Sequence, residues 1–162
     1  MIRELLEKLF SKGVYVSLKL VNGSEDVFKK YIEDNVPELT PSPDPHLTLI
    51  YSKQKFDGEV KISDYEVTGE VKGFSIFGQN GDKVLVAEIE SNDIKDRNKK
   101  LVDDYDFISD FDEYKPHITL AYDVPDDFNI SVLPKFPQPL TFGKESASEL
   151  ELNWVKNAKK TK

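Results

Sequence analysis

The chain has 162 residues, 38% hydrophobic and 32% charged, enough apolar material for one sizeable core and a single domain over residues 1–162. It holds no cysteine, so a disulfide framework, a thiolate nucleophile and a cysteine-ligated metal are excluded. A net charge of −8 repels long polyanions, and no basic run stands against it apart from the terminal KKTK; long nucleic acid is not an expected partner, whereas a small anion held by a few placed donors is.

The opening MIRELLEKLFSKG lacks the basic-then-apolar layout of a signal peptide, and no run reaches the roughly 18 to 20 apolar residues that span a bilayer. A cytoplasmic protein with no membrane contact is the expectation. Ile2, Leu5, Leu6, Leu9 and Phe10 fall on one helical face, with Gly13 as its stop. In GVYVSLKLV the period changes to two, with Val14, Val16, Leu18 and Leu20 on one side and Tyr15, Ser17 and Lys19 on the other, the pattern of a half-buried strand. SEDVFKKYIED follows as a helix, with Ser24 as N-cap, Glu25 and Asp26 in its first turn, and Val27, Phe28, Tyr31 and Ile32 turned inward. The proline-rich VPELTPSPDP then leads as a loop into PHLTLIY at 45–51.

Between the halves, EVKIS and YEVTGEVKGFSIF read as further strand. The order then repeats. KVLVAEIE at 83–90 is a strand, SNDIKDRNKKLVDDY a helix with Ile94, Leu101, Val102 and Tyr105 on one side, and an acidic, aromatic loop leads into PHITLAY at 116–122. Val14 lies 32 positions before His46, and Val84 lies 33 before His117. Two strand–helix–loop–strand units ending in one phrase point to a duplicated half. VPDDFNISVLPKFPQP is a long loop, and PLTF and ELELNW are late strand candidates.

The two heptads hold both histidines of the chain. On a strand, residues i and i+2 share a face, so His46 points with Thr48 and His117 with Thr119, while Leu47, Leu49 and Tyr51, and Ile118, Leu120 and Tyr122, point the other way. A lone histidine on a strand is more often structural than catalytic, but each unit here presents an imidazole beside a hydroxyl on a rigid apolar backing. Packed about a pseudo-twofold axis, the two pairs would face each other across a cleft. One imidazole can then take a proton while the other gives one, and the two hydroxyls can donate to non-bridging phosphate oxygens. In-line attack on a phosphodiester is the reaction this suits, with a ribose 2′-OH as internal nucleophile and no metal or other cofactor needed.

Paired H-x-T motifs in apolar strands some 70 positions apart resemble the 2H phosphoesterase superfamily, over about residues 13–154. The resemblance implies an α+β fold, bilobal and pseudo-twofold, with two antiparallel sheets around a central cleft and flanking helices. It also implies His46 and His117 as the acid–base pair and Thr48 and Thr119 as phosphate binders, without saying which histidine is the base. GVYVSLKL, the compact length and PHLTLIY look most like the phage anti-CBASS cyclic oligonucleotide phosphodiesterases, which destroy cyclic di- and trinucleotide defence signals in the bacterial host cytoplasm. A small cyclic oligonucleotide is then the implied substrate. Opening of RNA 2′,3′-cyclic phosphates by the same quartet, and noncatalytic sequestration of cyclic nucleotides, are the alternatives.

Bases bound in such a cleft would stack on aromatic rings. Tyr15 on the polar side of the first strand, Phe77 at a strand end and Trp154, where a C-terminal tail could fold over the cleft, are the candidates, although each also suits an ordinary surface or packing position. Glu145 resembles a family position that contacts a base edge. DDYDFISDFDEY holds six acidic residues but lacks the spacing of a calcium loop, and NGSED and GQNGD are turns that match no phosphate-binding loop.

Overall fold

Seven strands and two α-helices make up the described part of the computed structural model, which covers residues 12–151 apart from 55, 57, 79, 80 and 109–112. The helix expected over Ile2–Phe10 lies outside the described residues, as does Trp154. In chain order the elements are β1 (Lys12–Leu20), α1 (Ser24–Asn35), β2 (Thr40–Pro41), β3 (His46–Ser52), β4 (Glu66–Phe77), β5 (Val84–Glu90), α2 (Asn92–Tyr105), β6 (His117–Tyr122), a 3₁₀ turn (Ile130–Val132) and β7 (Leu140–Glu151). None of the described helices is long and apolar enough to cross a membrane.

Hydrogen bonding orders the strands β2-β6-β3-β1-β7-β4-β5, and β5 pairs again with β6, so the sheet returns on itself. Two equivalent antiparallel halves make up this ring, β3-β1-β7 and β6-β5-β4. They are joined on one side by the ladder from Glu66↔Gly143 to Gly69↔Leu140 and on the other by the single pair Leu47↔Ile118. The α+β, two-half architecture is thus present, with its two sheets hydrogen-bonded to each other along both edges.

Alternation drives β1. Val14, Val16, Leu18 and Leu20 are buried on one face, each fully buried side chain contributing about 1.5–3 kcal/mol relative to exposure. Phe28, Tyr31 and Ile32 of α1 and Ile94 and Leu101 of α2 join the same core. The helices are crossed between halves: α1 lies against β6 and β7, and α2 against β3 and β4. Each heptad strand is therefore roofed by the helix of the other unit, which locks the halves together.

Several expectations need local correction. Gly13 is not a helix stop but part of β1, where a Cβ would lie 2.0 Å from the Ser52 carbonyl oxygen, so glycine permits the β1–β3 approach. Ser24 does not cap α1. Gly23 in the left-handed region takes that place, and the Ser24 hydroxyl accepts from the Thr141 amide at 2.8 Å instead, tying α1 to β7. EVKIS forms no strand, because side chains bind its backbone: the Lys61 amide donates to the Tyr105 hydroxyl, the Lys61 carbonyl accepts from Arg97, and the Ser63 amide donates to Glu145. PLTF and the start of ELELNW are one continuous strand, β7.

Candidate active site

Strand register assembles the site. Across β1 and β3, Lys19 pairs with His46 and Ser17 with Thr48; across β5 and β6, Glu88 pairs with His117 and Val86 with Thr119. Continuing the antiparallel register from Leu47↔Ile118 sets His46 opposite Thr119 and Thr48 opposite His117. Directly opposed residues project from the same side of a sheet, with Cβ atoms about 4.5–5.5 Å apart. Two rows result: Lys19, His46, Thr119, Val86 and, beside it, Ser17, Thr48, His117, Glu88. The quartet forms the centre of this grid, each histidine flanked by the threonine of the other unit. All four side chains are half-buried, while Leu47, Leu49, Ile118 and Leu120 on the opposite face are fully buried.

The proline of each phrase acts on the ring beside it. A residue before proline is held extended, and here its carbonyl meets the imidazole: Nδ1 of His46 lies 2.8 Å from the Asp44 carbonyl, and Nδ1 of His117 lies 2.8 Å from the Lys115 carbonyl. A carbonyl only accepts, so in both neutral rings the proton sits on Nδ1 and Nε2 carries the lone pair. Nε2 has no hydrogen-bond partner among the described residues in either ring and is the nitrogen offered to a ligand.

Tyr51 and Tyr122 are not turned away from the quartet as strict alternation predicts. Val16 pairs with Ile50 and Ser17 with Thr48, so Leu49 is an extra residue in β3; Leu85 pairs with Ala121 and Val86 with Thr119, so Leu120 is the same in β6. Each bulge reverses the phase, burying two apolar residues in succession and returning Tyr51 and Tyr122 to the grid face. The carbonyls displaced by the bulges are matched: Leu49 accepts from the Asn98 side chain at 2.7 Å, and Leu120 from the Ser42 amide at 2.9 Å. The Tyr114 hydroxyl donates to the Thr48 carbonyl at 2.7 Å, tying the approach of β6 to the centre of β3.

Tyr15 and Phe77 both reach this surface. The Tyr15 hydroxyl is 3.2 Å from Oγ1 of Thr48, and its ring stands edge-on to His46 at 5.8 Å and to Tyr51 at 6.2 Å. Burial raises the Tyr15 pKa against the hydrogen bond from Thr48, so the phenol is neutral at pH 7. Phe77 stands edge-on to His117 at 5.1 Å. A cavity of about 590 Å³, lined mainly by apolar side chains of β3, α2 and the segment entering β6, has Thr48, Tyr51, Phe77 and His117 on its wall. That volume is in the range of small-molecule sites.

Glu145 is placed elsewhere. Lys19 pairs with Gly143 and Ser17 with Ser146, so β7 carries an extra residue between them, with Lys144 in the left-handed region at φ 47°. The bulge turns Glu145 inward, to 4% exposure. Its oxygens accept from Arg97 Nε, from Arg97 Nη2 at 2.9 Å and from the Ser63 amide at 3.0 Å. Burial works to raise its pKa, but the Arg97 hydrogen bonds and the Ser63 amide outweigh it and hold the carboxyl below its usual value. A carboxylate so engaged has no free edge to offer a base, and its evident work is to clamp β7 to α2 and the 61–63 segment.

Lys19, Glu88, Tyr51, Tyr122, Asn98 and Tyr114 were not singled out from the sequence. The bulges did leave a trace there, since Leu49-Ile50 and Leu120-Ala121 are consecutive apolar pairs inside otherwise alternating strands.

A family model described as Anti-CBASS protein Acb1 matches residues 12–157. Among curated relatives of the same description, that of Salmonella phage S16 is 29% identical over 154 residues, covering 93% of this chain and 96% of the relative. That of Acinetobacter phage Ac42 is 26% identical over 149 residues, 88% and 94% of the two chains, and that of Enterobacteria phage T4 is 27% identical over 154 residues, 94% and 97%. The crystal structure of E. coli LigT complexed with 3′-AMP aligns with a TM-score of 0.47 at 10% identity, over 87% of this chain and 98% of that one. With the whole ring of strands inside the matched span, the chain belongs to the Anti-CBASS protein Acb1 family.

Proposed function

We propose that the chain is a phosphodiesterase that cleaves 3′,5′ linkages of cyclic di- and trinucleotides, with His46 and His117 as general base and general acid and Thr48 and Thr119 as donors to the scissile phosphate. The observation that carries this reading is the register, which sets two imidazoles diagonally across a square completed by two hydroxyls. One Nε2 removes the proton of the attacking ribose 2′-OH; the O2′–P bond forms as the P–O5′ bond breaks, and the other Nε2–H protonates the departing oxygen. Nδ1, held on its carbonyl, keeps each ring aligned throughout. The threonine hydroxyls donate to the non-bridging oxygens, whose charge grows toward the transition state. Neither proton transfer requires a metal. The Anti-CBASS description of the family supports a cyclic nucleotide as the substrate, and Tyr15, Tyr51 and Phe77 offer faces for its bases.

Incubation with cyclic dinucleotides, cyclic trinucleotides and an RNA ending in a 2′,3′-cyclic phosphate, all with EDTA, tests this. Cleavage of the cyclic oligonucleotides, lost in His46→Ala and His117→Ala, is the expected result. Turnover of the RNA end alone, or stoichiometric depletion with intact ligand recovered on denaturation, would replace it with RNA-end processing or with sequestration.

A further inference from the structure

The pseudo-twofold axis that exchanges the two H-x-T strands also exchanges Lys19 with Glu88, because each pairs across from its own unit's histidine. Geometry is repeated here and charge is inverted. Lys19 is exposed and makes no ion pair among the described residues, and it is the single lysine or arginine of the eight-residue grid. Glu88 is half-buried and held by the Ser75 hydroxyl. A ligand with one phosphate at the quartet therefore meets a cation one strand beyond His46 and an anion one strand beyond His117.

We infer that Lys19 binds the second phosphate of a cyclic oligonucleotide, the one not being cut, while Glu88 bars that phosphate from the opposite corner. The inference rests on the proposed phosphodiesterase reading and extends it to substrate class and orientation. Neighbouring strands are about 4.8 Å apart, so a phosphate centred between His46 and His117 has its neighbour in the ring within reach of the lysine's four-carbon stem. A single-phosphate substrate gains nothing from Lys19. In a chain of net charge −8, a placed cation also offsets part of the long-range repulsion of a dianionic ring.

The test compares 3′,3′-cyclic di-AMP, which has two phosphates, with the linear dinucleoside monophosphate ApA, which has the same linkage and one. In Lys19→Met the ratio of kcat/KM for the ring to that for ApA should fall about tenfold, the scale of one charge-assisted contact in a partly exposed site, and Lys19→Arg should restore most of it. Equal losses on both substrates, or no loss, would overturn the inference. So would a loss carried by Lys115→Met instead, since Lys115 lies at the cavity on the His117 side. A binding arm covers the case of no turnover: calorimetric titration of cyclic di-AMP into the His46→Ala protein with and without Lys19→Met should show weaker binding and a salt slope smaller by about one without Lys19. Absence of cleavage with this binding difference intact counts against the phosphodiesterase reading alone; a Kd and slope indifferent to Lys19 count against the inference.

Discussion

Replacing Glu145 separates a structural carboxylate from a ligand-reading one. Its side chain is fully inaccessible and that of Arg97 is 14% exposed, so Glu145→Ala strips a largely buried guanidinium of its carboxylate, leaving it the Lys61 carbonyl, and leaves the Ser63 amide without its acceptor. Breaking a buried charge pair from one side costs about 3–5 kcal/mol, which for a chain of this size lowers Tm by about 6–20 °C. The pH dependence has a definite sign. The folded carboxyl has a lowered pKa, so in mild acid the unfolded state binds more protons, and the pair's contribution is full above about 4.5, the ordinary value, and lost as pH falls through the folded one. Melts followed by circular dichroism from pH 7 to pH 3 should show Glu145→Gln markedly less stable than wild type at neutral pH, with the gap closing in acid. An unchanged Tm at pH 7 combined with weakened cyclic nucleotide binding at 25 °C would refute the argument and return Glu145 to the base-edge role expected from sequence.

Three further outcomes follow from the grid. His46→Ala and His117→Ala should each abolish cleavage while moving Tm little, since both rings are half-exposed and, among the described residues, hydrogen-bonded only to a local carbonyl; single-turnover assays beside thermal melts check this. Thr48→Ala and Thr119→Ala should each lower kcat about 10²–10³-fold, the scale of losing one transition-state donor, with the Thr48 change also removing one partner of the Tyr15 hydroxyl. Tyr114→Phe removes the donor to the Thr48 carbonyl and should cost about 1–3 kcal/mol of stability, measured by urea titration.

The repeated half was legible because its signal is redundant: periodicity, spacing and the duplicated phrase all agree on β1-α1-β3 and β5-α2-β6. The quartet was legible for the same reason. What the sequence withheld is mostly bulges. A strand is read by strict alternation, and one inserted residue reverses every assignment beyond it. That misplaced Tyr51 and Tyr122, and it also hid the inward turn of Glu145, which depends on a left-handed Lys144 that lysine seldom adopts. EVKIS failed differently. Its alternating pattern was sound locally, but Arg97, Tyr105 and Glu145 claimed its backbone, and nothing near residues 59–63 announces partners that arrive from α2 and β7.

Duplication explains how two imidazoles came to share a face, yet a general acid and a general base must differ in the proton they carry at the moment of reaction. A repeat cannot supply that difference, because its equivalent positions inherit the same backbone, the same proline and the same carbonyl on Nδ1. The difference has to come from residues that break the repeat. Around His46 these are Tyr15, which also engages Thr48, and Lys19; around His117 they are Phe77 and Glu88. The large cavity likewise has Thr48 and His117 on its wall, but neither His46 nor Thr119. On the proposed reading, a substrate is oriented before any bond changes, its apolar parts and its second charge being drawn to different corners. If so, exchanging the charges in Lys19→Glu/Glu88→Lys should leave the quartet assembled but reverse the preferred orientation of an asymmetric ring. Sequencing the linear product of cyclic GMP–AMP reads that reversal as a switch in which of the two linkages is cut first, and an unchanged order of cutting would show that the quartet's own geometry sets the direction.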